Sequence, residues 1–463
     1  MTDFTIILRS LRVRLFSTLT TIVTVGVAVA LILVLLTMRD SAKRAFERGG
    51  GDMHLLVSAE ASPLSSVLNS IFYANAPRRS LPWARYEKLL TQAPWAYAVP
   101  TVTGDSFRGM PVVATTPEMF TQFKPALGEA WTLKEGAFFQ GDFEVVVGST
   151  VASQAGLHVG DTIFFTHGVP KDGGPIAGDV IHDHEGHDDH AHDDHAHDDH
   201  GHDHAHDDGA AHVHREFGCK VVGILTPTFS PHDRALFTSL NSAWVLHAHD
   251  RREKEGVFSQ PGATATTTPA DLTDADRQIT AVYLRLVTRE GGAAPANLQQ
   301  VFSMLRSDPT VMVAQPADEV ASLFLIVDNV NRLFLVIAGV VMVASAVSIM
   351  LALYNSMEQR RRQIAVMRVL GASAGRIFAL VLTESAVIGL CGAAVGAGLA
   401  FLGAFAARGI LRERLGLVID PAFGLTTVLA VVLAAVVLAC VAGLVPAMAG
   451  YRISVARSLK SAA

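Results

Sequence analysis

Hydrophobic and polar positions divide this chain into four apolar runs and one long polar interval. The run from Thr18 to Met38 carries no charge, and about 20 apolar residues are enough to cross the hydrocarbon layer of a bilayer. Three more such runs follow at Leu333–Tyr354, Ile377–Phe405 and Leu425–Val445. From Arg39 to about Leu325 no run of that length occurs. The pattern predicts an α-helical membrane protein with four transmembrane helices and a large domain outside the membrane. Ahead of the second run, Val320, Leu323, Phe324, Val327 and Val330 recur at three- and four-residue steps. Residues 317–354 are therefore expected as one helix, a stalk that continues into the span. Near the start, Phe4, Ile7, Leu8, Leu11 and Leu15 share one helical face, with Arg9, Arg12 and Arg14 elsewhere. That spacing predicts an amphipathic helix over 1–17 lying on the membrane surface. The first run is long for a signal peptide and no small-residue cleavage site follows it, so it reads as an uncleaved anchor.

The polar interval mixes both kinds of secondary structure. Strands are expected at Met53–Ser58, Val112–Thr115, Glu144–Gly148, Phe217–Leu225, Ala243–His247 and Gln278–Thr288, and helices at Leu81–Gln92 and Ala296–Leu305. With glycine-rich turns between them, these elements predict an α+β domain.

Charge orients the spans. The segments assigned to the inside carry Arg9, Arg12, Arg14, Arg360, Arg361, Arg362, Arg368, Arg376, Arg452, Arg457 and Lys460; the short loop after the third run carries Arg408, Arg412 and Arg414. The excess places both termini in the cytoplasm. The net charge of −6 is uneven, with much of the acid in one tract, and says little about partners. Cys219, Cys391 and Cys440 are too scattered for a disulfide framework or a CxxC zinc site. There is no GxxxxGK[ST] phosphate loop, no Ser-His-Asp or paired-carboxylate pattern, and no basic surface beyond those flanking the spans. The chain is therefore not expected to be an enzyme, to hold a nucleotide itself or to bind nucleic acid.

The segment between the second and third runs, 355–376, is the most pointed. Ile364, Met367, Val369 and Leu370 are interleaved with the arginines, and Gly371 ends the turn. This predicts a short interfacial helix shaped to dock on a soluble partner. The order of residues in MEQRRRQIAVMRVLGAS, RIF and ESAVIGL, followed by glycines and by a terminal GLVPAMAGYRISVARSLK, resembles the FtsX/MacB-type ABC transporter permeases. VVVGSTVASQAGLHVGDTIFF and FGCKVVGILTPTFSPHD resemble their MacB-like periplasmic core domain.

The resemblance implies a permease of the bacterial inner membrane with its large domain, 39–316, in the periplasm. One lobe would comprise 52–115 with 277–316; the second would comprise 116–250 with a His-rich insertion at 172–214; residues 251–276 would be a flexible linker. The spans would be 18–38, 317–354, 377–405 and 425–446, with a periplasmic loop at 406–424 and a cytoplasmic tail at 447–463. It also implies a homodimer, two copies of a separate ABC ATP-binding subunit that alone binds ATP, and a periplasmic adaptor or lipoprotein. The segment 355–376 would be the coupling helix, carried by Arg360, Arg361, Arg362, Ile364, Met367, Arg368, Leu370, Gly371 and Arg376. Glu384, an acid inside the third run, would tie that span to the arginines. Two other readings stay open: a lipoprotein- or lipid-extracting permease, and a metal-sensing membrane module.

One tract lies outside that resemblance. From His182 to His214 the unit HDDH recurs at His187, His192 and His197, and the tract holds 13 of the 19 histidines. They are His182, His184, His187, His190, His192, His195, His197, His200, His202, His204, His206, His212 and His214. Imidazoles interleaved with carboxylates suit Zn2+ or another divalent transition metal, in many equivalent sets of four. The plainer reading is a solvated insertion that binds metal incidentally. His54, His158, His167, His232, His247 and His249 are scattered, and each reads as a surface or satisfied residue rather than a ligand; His247 and His249 would share a strand face. In the third run Gly392 and Gly396 form a GxxxG, suited equally to packing within the chain and to a dimer contact.

Overall fold

The computed structural model describes residues 15–126, 128–167, 180–181, 212–259, 266–289, 295–359, 361–414 and 423–451. The expected helix over 1–17 lies outside them up to residue 14, as do His182 to His206, Arg360 and much of 406–424 and 447–463.

The elements in chain order are α1 (Leu15–Gly49), β1 (Leu55–Ser58), α2 (Pro63–Ser70), β2 (Leu81–Pro82), α3 (Trp83–Leu90), β3 (Trp95–Phe107), β4 (Met110–Thr115) and α4 (Glu118–Thr121). Then come β5 (Leu133–Gly136), β6 (Glu144–Val147), α5 (Ser149–Ala155), β7 (Thr162–Ile163), β8 (Thr166–His167), β9 (Val180–Ile181), β10 (His212–Val213), β11 (Cys219–Leu225) and β12 (Leu236–Ser239). The chain continues with α6 (Leu240–Lys254), β13 (Gln278–Ile279), β14 (Ala281–Leu286), α7 (Leu298–Arg306) and β15 (Met312–Ala314). It closes with α8 (Pro316–Gln359), α9 (Arg361–Val369), α10 (Ala374–Arg414) and α11 (Leu425–Tyr451). Two compact units result.

The α+β unit is built on a mixed sheet with the order β15-β1-β14-β3-β4-β12-β6-β11-β7-β9. The pairs β4–β12 and β6–β11 are parallel, and the other neighbours along that path are antiparallel. Its central strands read as continuous apolar runs, as in the Glu144–Val147 stretch EVVV, because they are covered on both faces. Two apolar cores form. Leu55, Val57, Val282 and Leu284 pack with Leu89, Val301 and Leu305 of α3 and α7. Val145, Val147, Val221, Ile163 and Phe165 make the second core. Helix α6 serves both, giving Ala243 and Trp244 to the first and Val245 and Leu246 to the second. The two expected lobes thus share one sheet, joined where β12 lies beside β4.

Three expectations are corrected. Ala243–His247 is not a strand but the middle of α6. The run AWVL is apolar throughout because both cores need that helix, which hides the helical period. Ser239 caps it, its hydroxyl accepting from the Ser242 N–H. The residues 251–276 are not all linker. Arg251 to Lys254 complete α6, and Arg251 holds Asp276 at 2.9 Å. At Thr268 the backbone N–H and the hydroxyl both donate to the Asp271 carboxylate. Finally, Trp95–Phe107 forms the strand β3, where the sequence predicts none. Its 13 residues include Pro100 and Gly104, which break the alternation that marks a strand.

In the second unit, among the described residues, four helices are long and apolar enough to cross a membrane: Leu15–Ser41, Pro316–Gln359, Ala374–Ala406 and Leu425–Ala449. Val25, Val29 and Leu33 of α1 pack with Ile349 and Leu353 of α8, Ile388 and Ala393 of α10, and Ala435 and Ala439 of α11. Small residues set the spacing. A Cβ on Gly396 would stand 2.5 Å from the Gly26 carbonyl oxygen, and one on Gly392 2.6 Å from a Val25 methyl. The GxxxG is thus occupied within the chain, by α1. At one end of the same helices Arg39 of α1 grips Asp328 of α8 bidentately, Nε to Oδ1 at 2.6 Å and Nη2 to Oδ2 at 2.8 Å.

Candidate functional site

Two arrangements of chemical interest emerge, one in each unit. In the helical unit, α9 lies between the long helices α8 and α10, with Arg360, outside the described residues, between it and α8. The chain leaves it through a turn at Leu370 and Gly371, where Gly371 has φ +98°, and re-enters a helix whose first turn is capped by the Ser373 hydroxyl accepting from the Arg376 N–H. Ile364 and Ala365 face inward, with Ile364 packed against Met357, Ile377, Val381 and Ala447. Val366, Val369 and Leu370 are exposed, Leu370 to 80%. Ile364 thus seats the helix, and the outward apolar surface falls to Val366, Val369 and Leu370. Arg361, Arg362 and Met367 lie on α9 by backbone position. Arg376 is exposed in the first turn of α10, Arg368 is half-buried, and Glu384 is half-buried in α10.

In the α+β unit, the expected metal ligands of the tract are described only at His212 and His214. His214 is fully buried, with its Nδ1 3.4 Å from Asp250. His212 pairs with His167 in the β8–β10 register. The scattered histidines divide sharply. His54 Nδ1 accepts from the Leu286 N–H at 3.2 Å, and His158 is an exposed neighbour of Asp161. His232 is fully buried among aromatic rings. Because the segment is helical, His247 and His249 point to opposite sides, about 200° apart at 100° per residue. His249 packs on Phe217 and Phe258 and meets Thr267 at 3.3 Å. His247 turns to Asp105.

That turn completes a cluster. Between Thr103 and Ser106 the β3–β4 register slips, at Gly104 with φ +152°. The irregularity releases Asp105 from β4 and pairs it with His167 of β8 instead. Asp105 is then approached from two elements: His167 Nδ1 lies 3.0 Å from Oδ1, and His247 Nε2 lies 3.2 and 3.1 Å from Oδ1 and Oδ2. One ligand atom from each residue lies within 4.8 Å of the others. The Asp105 side chain is 4% exposed, His247 31% and His167 52%. Burial alone would raise the Asp105 carboxyl, yet His247 and His167 hold it well below the usual carboxylate range. Burial alone would lower His247, yet the Asp105 carboxylate lifts it above the usual imidazole value. The cluster is not legible in the sequence because its members come from a register irregularity in β3, from β8 and from α6, where a strand is expected.

Comparison with known families agrees with the architecture. Residues 16–282 match the model of the MacB-like periplasmic core domain, more than half of the chain, and residues 335–455 match the FtsX-like permease C-terminal. Comparison with curated proteins finds no match.

Proposed function

Because this chain belongs to the FtsX/MacB-type ABC permease family, we propose that it is the membrane subunit through which a separate ABC ATP-binding subunit drives motion of a periplasmic domain. The observation that carries the proposal is α9. It is a helix between two candidate spans, seated by Ile364, with Val366, Val369 and Leu370 exposed and with Arg361, Arg362 and Arg368 in its sequence. Such a mixed surface suits docking into a groove of a soluble ATPase, with apolar anchors and a basic rim. In this reading α9 and both termini are cytoplasmic, the α+β unit is periplasmic, and two copies of the chain meet two ATPases. ATP-driven closure of the ATPases displaces α9. The helices α8 and α1, each continuous from a span into the residues of the α+β unit, carry the displacement. The described residues of the spans pack through apolar and small side chains, which supports a reading in which the work is mechanical transmission. A substrate or lipoprotein is moved in the periplasm without crossing the bilayer.

The His-rich tract favours a second element of the reading, that this motion serves divalent-metal handling, with Zn2+ the best match to imidazole-rich donors. Affinity purification of the detergent-solubilised chain from native membranes, with and without added Zn2+, tests both. The expected result is an ABC ATP-binding subunit in each preparation and a periplasmic partner whose recovery depends on zinc. Recovery of the chain with no ATP-binding subunit under either condition would overturn the permease reading. Identical partner sets in both would overturn the metal link.

A further inference from the structure

We propose that Asp105, His167 and His247 form a divalent transition-metal site of the folded α+β unit, of zinc type, separate from the His-rich tract. Three observations carry it. The residues come from β3, β8 and α6, so the fold and not local sequence assembles them. Their donors are two imidazole nitrogens and a carboxylate oxygen, a set that suits Zn2+. Two edges of the set match: tetrahedral ligands roughly 2.0–2.1 Å from zinc stand about 3.3 Å from one another, against 3.0–3.2 Å from Asp105 to either ring here, and all three donors lie within 4.8 Å of one another. The rings of His167 and His247 lie 5.4 Å apart and nearly perpendicular, at 78°, so they flank the carboxylate instead of stacking.

The arrangement also says what kind of site it is. Asp105 is shielded while His167 is half in solvent, so a bound ion keeps an open face. Three protein ligands with an open position mark an exchangeable or reactive centre, unlike the closed four-ligand sets of structural zinc. The metal would also bridge α6 to β3 and β8. Since α6 packs into both apolar cores, occupancy is read directly as stability of the unit. The location adds a link to the tract. His167 pairs with His212, so the intervening residues, which hold most of the histidines, begin and end on the strand pair that supplies one ligand. A metal released from the tract is thereby at high effective concentration at the site.

The test uses the full chain in detergent and a variant lacking 182–211, which removes eleven of the tract's thirteen histidines. Co2+ titration followed by visible absorption reads the geometry, and Zn2+ competition reads affinity. The expected result is one equivalent of tightly held Co2+ in the deletion variant. Adding Asp105→Asn or His247→Gln should weaken it by about 100-fold or more, beyond the 10–100-fold that loss of a supporting partner typically costs. His167→Gln, at an exposed position that leaves both cores untouched, should do the same. Zinc should also raise the unfolding temperature of the deletion variant and not of the three substituted forms. A deletion variant that unfolds cooperatively yet binds no stoichiometric metal would show a hydrogen-bonded network only and overturn the proposal. Equal binding by the substituted forms would place the ligands elsewhere and do likewise. Neither result depends on whether an ATPase is found.

Discussion

Acid should destabilise the α+β unit through one residue, His232. Its ring is enclosed by Phe123 and Trp131, at centroid distances of 5.7 and 5.6 Å, and its Nδ1 meets the Tyr73 hydroxyl at 2.7 Å. Burial pushes its pKa down to about 3, against an ordinary value of about 6.5. Because the folded-state value is the lower one, the unfolded chain takes up this proton first as pH falls. The loss begins near the unfolded value and continues down to about 3, at roughly 1.4 kcal/mol per pH unit. Between about pH 6.5 and about pH 4.5 this one ring should cost on the order of 2–3 kcal/mol. All four tryptophans, Trp83, Trp95, Trp131 and Trp244, lie in the α+β unit, so their fluorescence during urea unfolding reports on it. Comparison of the wild type with His232→Gln separates this ring from other titrating groups. The variant should be less stable at neutral pH, and the gap should close with acid at about 1.4 kcal/mol per unit. A gap that stays constant across the range would refute the reasoning, because it would mean His232 titrates alike in both states.

Three further outcomes are expected. Gly396→Leu should destabilise the helical unit by roughly 1–3 kcal/mol, as overpacking does, since even a Cβ there meets the Gly26 carbonyl, whereas Gly398→Ala, with nothing within 4 Å, should be silent in a thermal-shift assay. Equal melting shifts for the two would mean α1 and α10 do not pack through Gly396. Arg39→Asp and Asp328→Arg should each loosen α1 from α8, and the double reversal should restore the wild-type melting temperature, because their bidentate pair is the contact being exchanged; a double variant no better than either single one would count against it. Removing metal with a chelator should lower the melting temperature of the zinc-loaded chain, and a substitution at His158, which is exposed and not a member of the triad, should leave that shift intact.

The parts of the fold legible in the sequence were those with long, uniform signals. Four apolar runs yield four candidate spans, and the interval between α8 and α10 yields a basic helix, because each is fixed by local composition. Shorter elements were legible where a compact β-branched apolar run stood out, as at β4 and β6, and the signal was lost elsewhere. It failed at α6, whose apolar residues serve two cores at once and so lose their period, and at β3, where Pro100 and Gly104 interrupt the pattern. These two failures are also why the Asp105–His167–His247 cluster was hidden. One ligand sits at a register shift and another on the misread helix, and nothing local joins residues so distant in the chain. The GxxxG shows the converse limit: its smallness was plain, but only the packing of Gly392 and Gly396 against Val25 and Gly26 reveals the partner.

The most direct test of the account is the ATPase activity of the cognate ATP-binding subunit reconstituted with this chain in lipid nanodiscs. Wild type is compared with a variant carrying Arg361→Glu and Arg368→Glu on α9. The account predicts that wild type changes the ATPase rate and that the variant, inserted and melting like wild type, does not. A variant that changes the rate as fully as wild type would contradict the assignment of α9 as the coupling element.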